Sequence, residues 1–490
     1  MAGVIAAGHP QTAEAGAEVL REGGNAVDAA VAAVLASFAA EPLLTGMGAG
    51  GYLLVAGAGV EPTLLDFFVE SPGRGSDRSR WEPLLAVEVD FDDAVQVFNV
   101  GPASCGTPGV PAGLATALER WGTADLSSLT DRAATLCREG VALNAAQAYI
   151  VRLLEPILAS SPECDALWRP TGAIPGEGDL VRNEELADTL ERFGREGSAP
   201  FYDGDIGHAL ADWVTDRGGA LTREDLAAYR VAPREPIRVQ YRDREVLTNP
   251  PPNAGGILLA YALAQLGSRP GPPGLADVVG SMEQAQAERT PEFTAGLVEP
   301  GFLERFMGSR LGATTHVSVL DADGLAAAIT CTNGEGSGVL VPGTGIQLNN
   351  IMGEEDISPQ GFHRDPPGRH MPSMMAPTVV LRDGEVELVL GSAGSNRIRS
   401  ALLQTIVNAL DGGRAIRDAV EAPRVHFEAG TLWAEPGIAL DELEQLGHAV
   451  VAFRDRNVFF GGVQAVQRDP ATGEVRGAGD PRRGGVAVTV

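Results

Sequence analysis

Apolar residues recur at helical spacing (Ala15, Val19, Leu20) over 12–22, and Gly23-Gly24 ends that run. Asn25 is placed to cap a second helix reaching about Ala40. Its apolar stretch from Ala29 is about 12 residues, short of the roughly 20 that span a bilayer, and predicts a buried helix. A glycine cluster, Gly46-Met47-Gly48-Ala49-Gly50-Gly51, then leads into an apolar strand at 52–56. Residues 107–250 read as mostly helical, with strands near 236–248. Pro250-Pro251-Pro252-Asn253-Ala254-Gly255-Gly256 breaks the pattern and opens an apolar helix at 257–266. Residues 267–312 are Pro- and Gly-rich at first, then charged and weakly helical, and read as a linker-like segment. Beyond them the character is β. Residues 315–320 alternate, Asp321-Ala322-Asp323-Gly324 forms a hairpin turn, and 325–332 return. A second hairpin pairs 378–381 with 385–390 across Asp383-Gly384. Helices follow near 396–411 and 414–421, and a last hairpin surrounds 469–474. Strand pairs flanked by helices predict a layered α+β fold.

Composition narrows the chemistry. The formal net charge of -28 over 490 residues argues against nucleic acid or an anionic membrane surface as partner, because phosphates are repelled. The chain has no lysine, so a Schiff base, a pyridoxal-phosphate anchor and a P-loop are excluded. Cys105, Cys137, Cys164 and Cys331 are widely spaced, which fits neither a disulfide framework nor a zinc site. His363 and His370 fall in a Pro- and Gly-rich stretch and read as a solvated loop; no metal or cofactor is expected. The first residues show no basic region and no apolar signal core, so the expected location is the cytoplasm. The glycine cluster matches GxGxxG, but a helix precedes it and a strand follows, the reverse of a dinucleotide fingerprint, so a tight backbone turn is expected instead.

Thr314 and Thr332 lie almost symmetrically about the Asp323-Gly324 turn. Folding that hairpin brings them within about one residue of opposition, with Cβ atoms roughly 5 Å apart. Facing threonines are also common in ordinary sheets. Gly391-Ser392-Ala393-Gly394-Ser395 lies between a strand and a helix, where backbone N–H groups are preorganised for an oxyanion. Asn349-Asn350-Ile351-Met352 and Met371-Pro372-Ser373-Met374 supply further polar loop groups.

Taken together these stretches resemble the γ-glutamyltransferase (glutathione hydrolase) family nearly end to end. The resemblance runs through Gly23-Gly24-Asn25-Ala26-Val27-Asp28-Ala29-Ala30, Thr314-Thr315-His316, Val341-Pro342-Gly343-Thr344-Gly345-Ile346, Gly391-Ser392 and Gly479-Asp480-Pro481-Arg482. It implies a four-layer αββα sandwich of the N-terminal-nucleophile hydrolase type. It also implies self-cleavage between Ala313 and Thr314 into a large subunit, 1–313, and a small subunit, 314–490, that stay together. Thr314 is then the nucleophile, Thr332 its orienting partner, and the N–H groups of Gly394 and Ser395 the oxyanion donors. Asn333, Glu354 and Ser373 are carried over as substrate-binding residues.

The glutamate-binding part of the pattern is depleted. Where the family has an Asp-Phe-Arg-Glu stretch, this chain has Asp66-Phe67-Phe68-Val69-Glu70-Ser71-Pro72, without arginine. The family's serine pair is Pro372-Ser373, a glutamine expected after Asn-Asn is Ile351, and the second glycine of the oxyanion turn is Ser395. Arg80 and Arg397 are the arginines weighed as substitutes. Three readings follow from the resemblance. One is γ-glutamyl transfer from an amide such as glutathione to Thr314, then to water or an amino acceptor. A second is a related acylase with another acyl group. The third is an unprocessed binding or structural homologue.

Overall fold

The computed structural model describes residues 3–90, 95–288, 297, 315–355, 358 and 361–490. Thirteen strands build two central antiparallel sheets: β1 (Gly3–Ala7), β2 (Gly50–Gly57), β3 (Val60–Phe67), β4 (Ala232–Arg234), β5 (Ile237–Tyr241), β6 (Arg244–Thr248), β7 (Thr315–Asp321), β8 (Leu325–Thr332), β9 (Thr378–Arg382), β10 (Glu385–Ala393), β11 (Gly462–Arg468), β12 (Val475–Gly479) and β13 (Val486–Thr489). The first sheet has the order β13-β1-β7-β8-β2-β3-β4 and the second β12-β11-β10-β9-β6-β5.

Three apolar layers hold these sheets. Val4, Tyr52, Leu54, Val379, Val389 and Val466 pack between them. Helices including Pro10–Arg21, Ala26–Ala40 and Leu126–Glu139 cover the outer face of the first sheet. Gly255–Gly267 and Ile398–Leu410 cover that of the second. This is the expected αββα sandwich. Helix Ala26–Ala40 is buried at every position, which suits its unbroken apolar run. Asn25 and Asp28 form its capping box, and Asp28 also accepts the Thr123 and Ala124 N–H groups. Among the described residues no helix is long and apolar enough to cross a membrane.

The predicted hairpins appear where the turns place them. The glycine cluster is a tight turn before β2: a Cβ on Gly48 would come within 2.2 Å of the Gln347 carbonyl oxygen, and one on Gly51 within 2.5 Å of the Thr330 oxygen. One expectation sharpens and one changes. The segment 267–312 includes a regular helix, Leu275–Ala287, whose Val279 and Met282 pack into the second core; residues 289–296 and 298–312 lie outside the described residues. His370 does not behave as a solvated loop residue: its side chain is 13% exposed and lies against two carboxylates, while Arg364, Pro366 and Pro367 before it are exposed.

Candidate active site

The β7–β8 hairpin sets the first part of the site. Asp321 fastens its turn: Oδ1 accepts the Asp323 and Leu325 N–H groups at 3.0 Å, and Oδ2 accepts the Ala26 N–H at 3.0 Å. One carboxylate thus joins the hairpin to the buried helix. The register pairs Thr315 with Cys331 and Thr332 with Gly50. Ala313 and Thr314, the expected cleavage pair, lie outside the described residues.

A cleft opens where β8 ends. Thr332, Gly334, Gly394 and Ser395 line it together. The Thr332 oxygen accepts the Gly334 N–H at 2.7 Å, which leaves the hydroxyl proton available to an acceptor. The opposite wall is apolar, made of Leu44, Phe98, Ile150, Leu153, Leu154 and Val458, with Glu335, Arg397 and Arg483 at its charged positions.

The 391–395 turn is strand–turn–helix, as its sequence indicated. It leaves β10, passes Gly394 (φ 125°) and Ser395 (φ 52°), and enters a short 3-10 turn that runs into helix Ile398–Leu410. A left-handed φ at Ser395 explains why glycine suits this position, and a serine there costs roughly 1 kcal/mol. Gly394 permits close packing, since a Cβ would sit 2.5 Å from Gly461 Cα.

The predicted binding residues are divided. Asn333 follows Thr332, is buried, and has a side-chain oxygen without a hydrogen-bond partner among the described residues. Glu354 packs close by, with Oε1 within 2.5 Å of where a Gly334 Cβ would stand. Ser373 is not among the residues lining the cleft. Its hydroxyl accepts from Asn253 Nδ2 at 2.6 Å and from the Met375 N–H at 3.2 Å, and its carbonyl accepts the N–H groups that open helix Gly255–Gly267.

His316 lies between the sheets. Thr330 donates to Nδ1 at 2.8 Å, Nε2 donates to Ser318 Oγ at 2.9 Å, and Ser318 donates to the Gln464 carbonyl at 3.1 Å. Burial pushes its pKa down to about 3, so it is neutral. A Cβ on Gly391 would come within 2.3 Å of this ring, so the histidine and the glycine turn are packed as one unit. Beside it, buried Glu41 accepts from Thr12 Oγ1 at 2.8 Å and Thr315 Oγ1 at 3.1 Å. Burial raises its carboxyl above the ordinary value.

The 66–74 segment carries its charges inward. Phe68 stacks on Tyr52 with ring centroids 5.5 Å apart, in a core that includes Ile351 and Met371. Buried Asp66 meets Arg234 Nε at 2.6 Å and His370 Nδ1 at 3.1 Å, and His370 Nε2 lies 3.3 Å from Glu70. Burial opposes charge on His370, but Asp66 and Glu70 outweigh it and raise the imidazole to about 9. Burial likewise opposes charge on Asp66, and His370 and Arg234 still hold it below the ordinary value.

The Gamma-glutamyltranspeptidase family pattern matches residues 12–290 and 303–490. The chain belongs to the gamma-glutamyltranspeptidase family. Among curated relatives of this gamma-glutamyltranspeptidase-family enzyme, the glutathione hydrolase proenzyme of Bacillus subtilis (strain 168) is 29% identical, over 100% of this chain and 91% of the relative. The acylase ACY 1 proenzyme of Pseudomonas sp. (strain SE83) is 32% identical, over 100% and 93%. The solved cephalosporin acylase of Bacillus halodurans shares the fold, with a TM-score of 0.85, 24% identity, and coverage of 99% of this chain and 95% of that one. The family therefore holds glutathione hydrolases and acylases at similar distance from this enzyme.

Three site residues escape sequence reasoning: Glu41, Glu335 and Arg483. Glu41 is 274 positions from the threonine it contacts, so no local pattern signals it. Arg483 adjoins the recognised Gly479-Asp480-Pro481-Arg482 stretch, but nothing in that stretch says which way its side chain turns.

Proposed function

We propose that the chain is an autoprocessing N-terminal-threonine amidohydrolase whose acyl pocket is of the acylase kind. The observation that carries this reading is the cleft that gathers Thr332, Gly394 and Ser395 at the end of the hairpin that Thr315 begins. Thr314 precedes Thr315 in the chain by one peptide bond.

In the precursor the Thr314 hydroxyl attacks the Ala313 carbonyl carbon. The C–N bond breaks as an ester forms on Thr314 Oγ, and water then hydrolyses the ester. The chain becomes 1–313 and 314–490, and Thr314 gains an α-amine with an ordinary pKa near 7.7–8.0. That amine accepts the proton of Thr314 Oγ as the oxygen attacks the substrate amide. The N–H groups of Gly394 and Ser395 receive the developing oxyanion, and Thr332 orients the nucleophile by hydrogen bond. The departing amine takes the proton back. Water, or a second amine, releases the acyl group.

The apolar wall favours an acylase over a strict glutamyl enzyme. The 66–72 stretch lacks the family arginine, and Leu44, Ile150 and Leu154 offer the acyl chain methylene contacts. A γ-glutamyl reading keeps one specific support, the position of Asn333 and Glu354 behind Gly334 at the cleft. A panel of acyl 4-nitroanilides separates the two. The acylase reading expects simple aliphatic acyl groups to be cleaved at least as fast as γ-glutamyl. An enzyme that releases nitroaniline from the γ-glutamyl compound alone contradicts it.

A further inference from the structure

Behind the apolar wall of the cleft lies a second pocket that the acyl-transfer steps do not use. The two spaces have Leu44 and Ile150 as a common wall. The rest of the lining includes Leu43, Leu143, Val151 and Trp168, and the surface it exposes is hydrocarbon throughout. These residues belong to an apolar cluster of their own, set apart from the three layers of the sandwich and built on helices Ala145–Leu158 and Pro162–Trp168. The common wall is tied to the floor of the cleft. The Leu44 carbonyl accepts the N–H of Asn333, the residue after Thr332, at 3.1 Å.

Three polar side chains border the pocket, and each is turned to a partner. Glu41 accepts from Thr12 at one oxygen and from Thr315 at the other. Gln147 donates Nε2 to the Ala40 carbonyl and accepts the Asn144 N–H at 2.9 Å. Trp168 donates Nε1 to Gln347 Oε1 at 3.3 Å. A water molecule needs about two to four polar partners to stay in a cavity, and this lining exposes no polar surface to it. A charged or hydroxylated chain end would lose its hydration there and gain no hydrogen bond. The pocket therefore suits hydrocarbon, and its place behind Leu44 and Ile150 gives that hydrocarbon a source in the cleft.

We propose that this pocket receives the last methylenes of an unbranched acyl chain, so that the preferred substrates are amides of medium-length saturated acids. The chain starts at the acyl carbon, runs along Ile150 and Leu154, and enters where Leu44, only half-buried, turns aside. This rests on the acyl-transfer reading above and names the acyl group of that same site.

The test compares butyryl and octanoyl 4-nitroanilides by kcat/KM. Each methylene that leaves water should raise it roughly fourfold, and octanoyl is expected to exceed butyryl roughly 10- to 200-fold. Equal values, or a preference for butyryl, overturn the proposal. Val151 lines the pocket but not the cleft, so Val151→Phe fills the pocket and should lower the octanoyl-to-butyryl ratio at least about tenfold. A ratio that moves less than about threefold also overturns it, because a gain from chain hydrophobicity alone would survive that variant. Should Val151→Phe fail to fold, binding to the wild-type enzyme decides. ω-Bromo-octanoate carries a heavy-atom quencher on its last carbon and should quench tryptophan fluorescence, whereas the shorter ω-bromobutyrate should not. Trp168→Phe should remove that quenching. No quenching, or quenching that survives Trp168→Phe, sinks the pocket. The two claims fail separately. An enzyme quenched through Trp168 by ω-bromo-octanoate but inert toward every anilide sinks the acyl-transfer reading. Anilide hydrolysis that Thr314→Ala abolishes, with no gain from butyryl to octanoyl in the wild type, sinks the pocket alone.

Discussion

The floor of the cleft and the knot around His370 are both buried and polar, yet they are built differently. The floor is held by backbone and neutral hydroxyls. Strand register places Thr332, a left-handed turn places Gly394 and Ser395, and a neutral His316 bridges Thr330 and Ser318. The knot is held by full charges, with Asp66, Glu70, Arg234 and His370 paired among themselves. On the proposed reading, reaction geometry rests on the main chain, which tolerates sequence change. The region where the family resemblance implies a substrate arginine rests on side chains, and here those side chains satisfy one another. The residues that the resemblance casts as catalytic are retained in this chain while the arginine it casts as a clamp is not, and this difference in construction offers a physical reason.

The comparison is broken most severely at the floor. Thr314→Ala is expected to lower amide hydrolysis by at least about 1000-fold, because no other hydroxyl gains an adjacent free amine. Turnover within tenfold of wild type, read by nitroaniline release, would contradict the account. At the knot the effect falls on stability. In the unprocessed Thr314→Ala background, Asp66→Asn leaves Arg234 without its carboxylate and His370 with Glu70 alone, and should cost about 3 kcal/mol, toward the low end for a buried pair because Arg234 is partly exposed. An unchanged urea midpoint would show the knot to be dispensable.

pH sharpens the contrast, since the two histidines move in opposite directions. The folded pKa of His370 is about 9 against an ordinary 6.5. Its stabilisation is complete below pH 6.5 and is lost as pH rises through about 9, a change of about 3 kcal/mol. His370→Gln should flatten that alkaline limb of the stability curve. His316 has a folded pKa of about 3, so the fold holds it neutral and stability falls as pH drops below 6.5, by about 2 kcal/mol at pH 5. His316→Gln should flatten the acid limb, although His9 and His426, both lowered to about 4, keep part of it. Limbs that respond to the opposite variants would refute the charge assignment. The smallest effect is expected at Ser395→Gly, which relieves a left-handed serine and should raise stability by no more than about 1 kcal/mol. A loss of more than about 1 kcal/mol would contradict this backbone account of the position.

Much of this was legible where the signal is local. The Asp321–Gly324 and Asp383-Gly384 turns announce their hairpins, and the Asn25/Asp28 box announces its helix, because each is decided within a few residues. Strand β1 was not foreseen. It is five residues long, and its partners, β7 and β13, lie more than 300 positions away. The site divides in the same way. Thr332, Gly394 and Ser395 stand on a hairpin and a strand–helix turn that the sequence displays. Arg483 reaches the cleft, and Glu41 reaches Thr315 behind it, only through tertiary packing. His370 was misread because proline and glycine around it signal a loop, while the carboxylates that pin that loop are some 300 residues earlier.

The central claim is that the backbone opens before Thr314 to create the nucleophile's own base. Intact-mass and N-terminal analysis of the purified wild-type protein tests it most directly. Two chains are predicted, 1–313 and 314–490, the second beginning Thr-Thr-His. A single uncut chain of 50.9 kDa that nonetheless hydrolyses acyl anilides at full rate would contradict it.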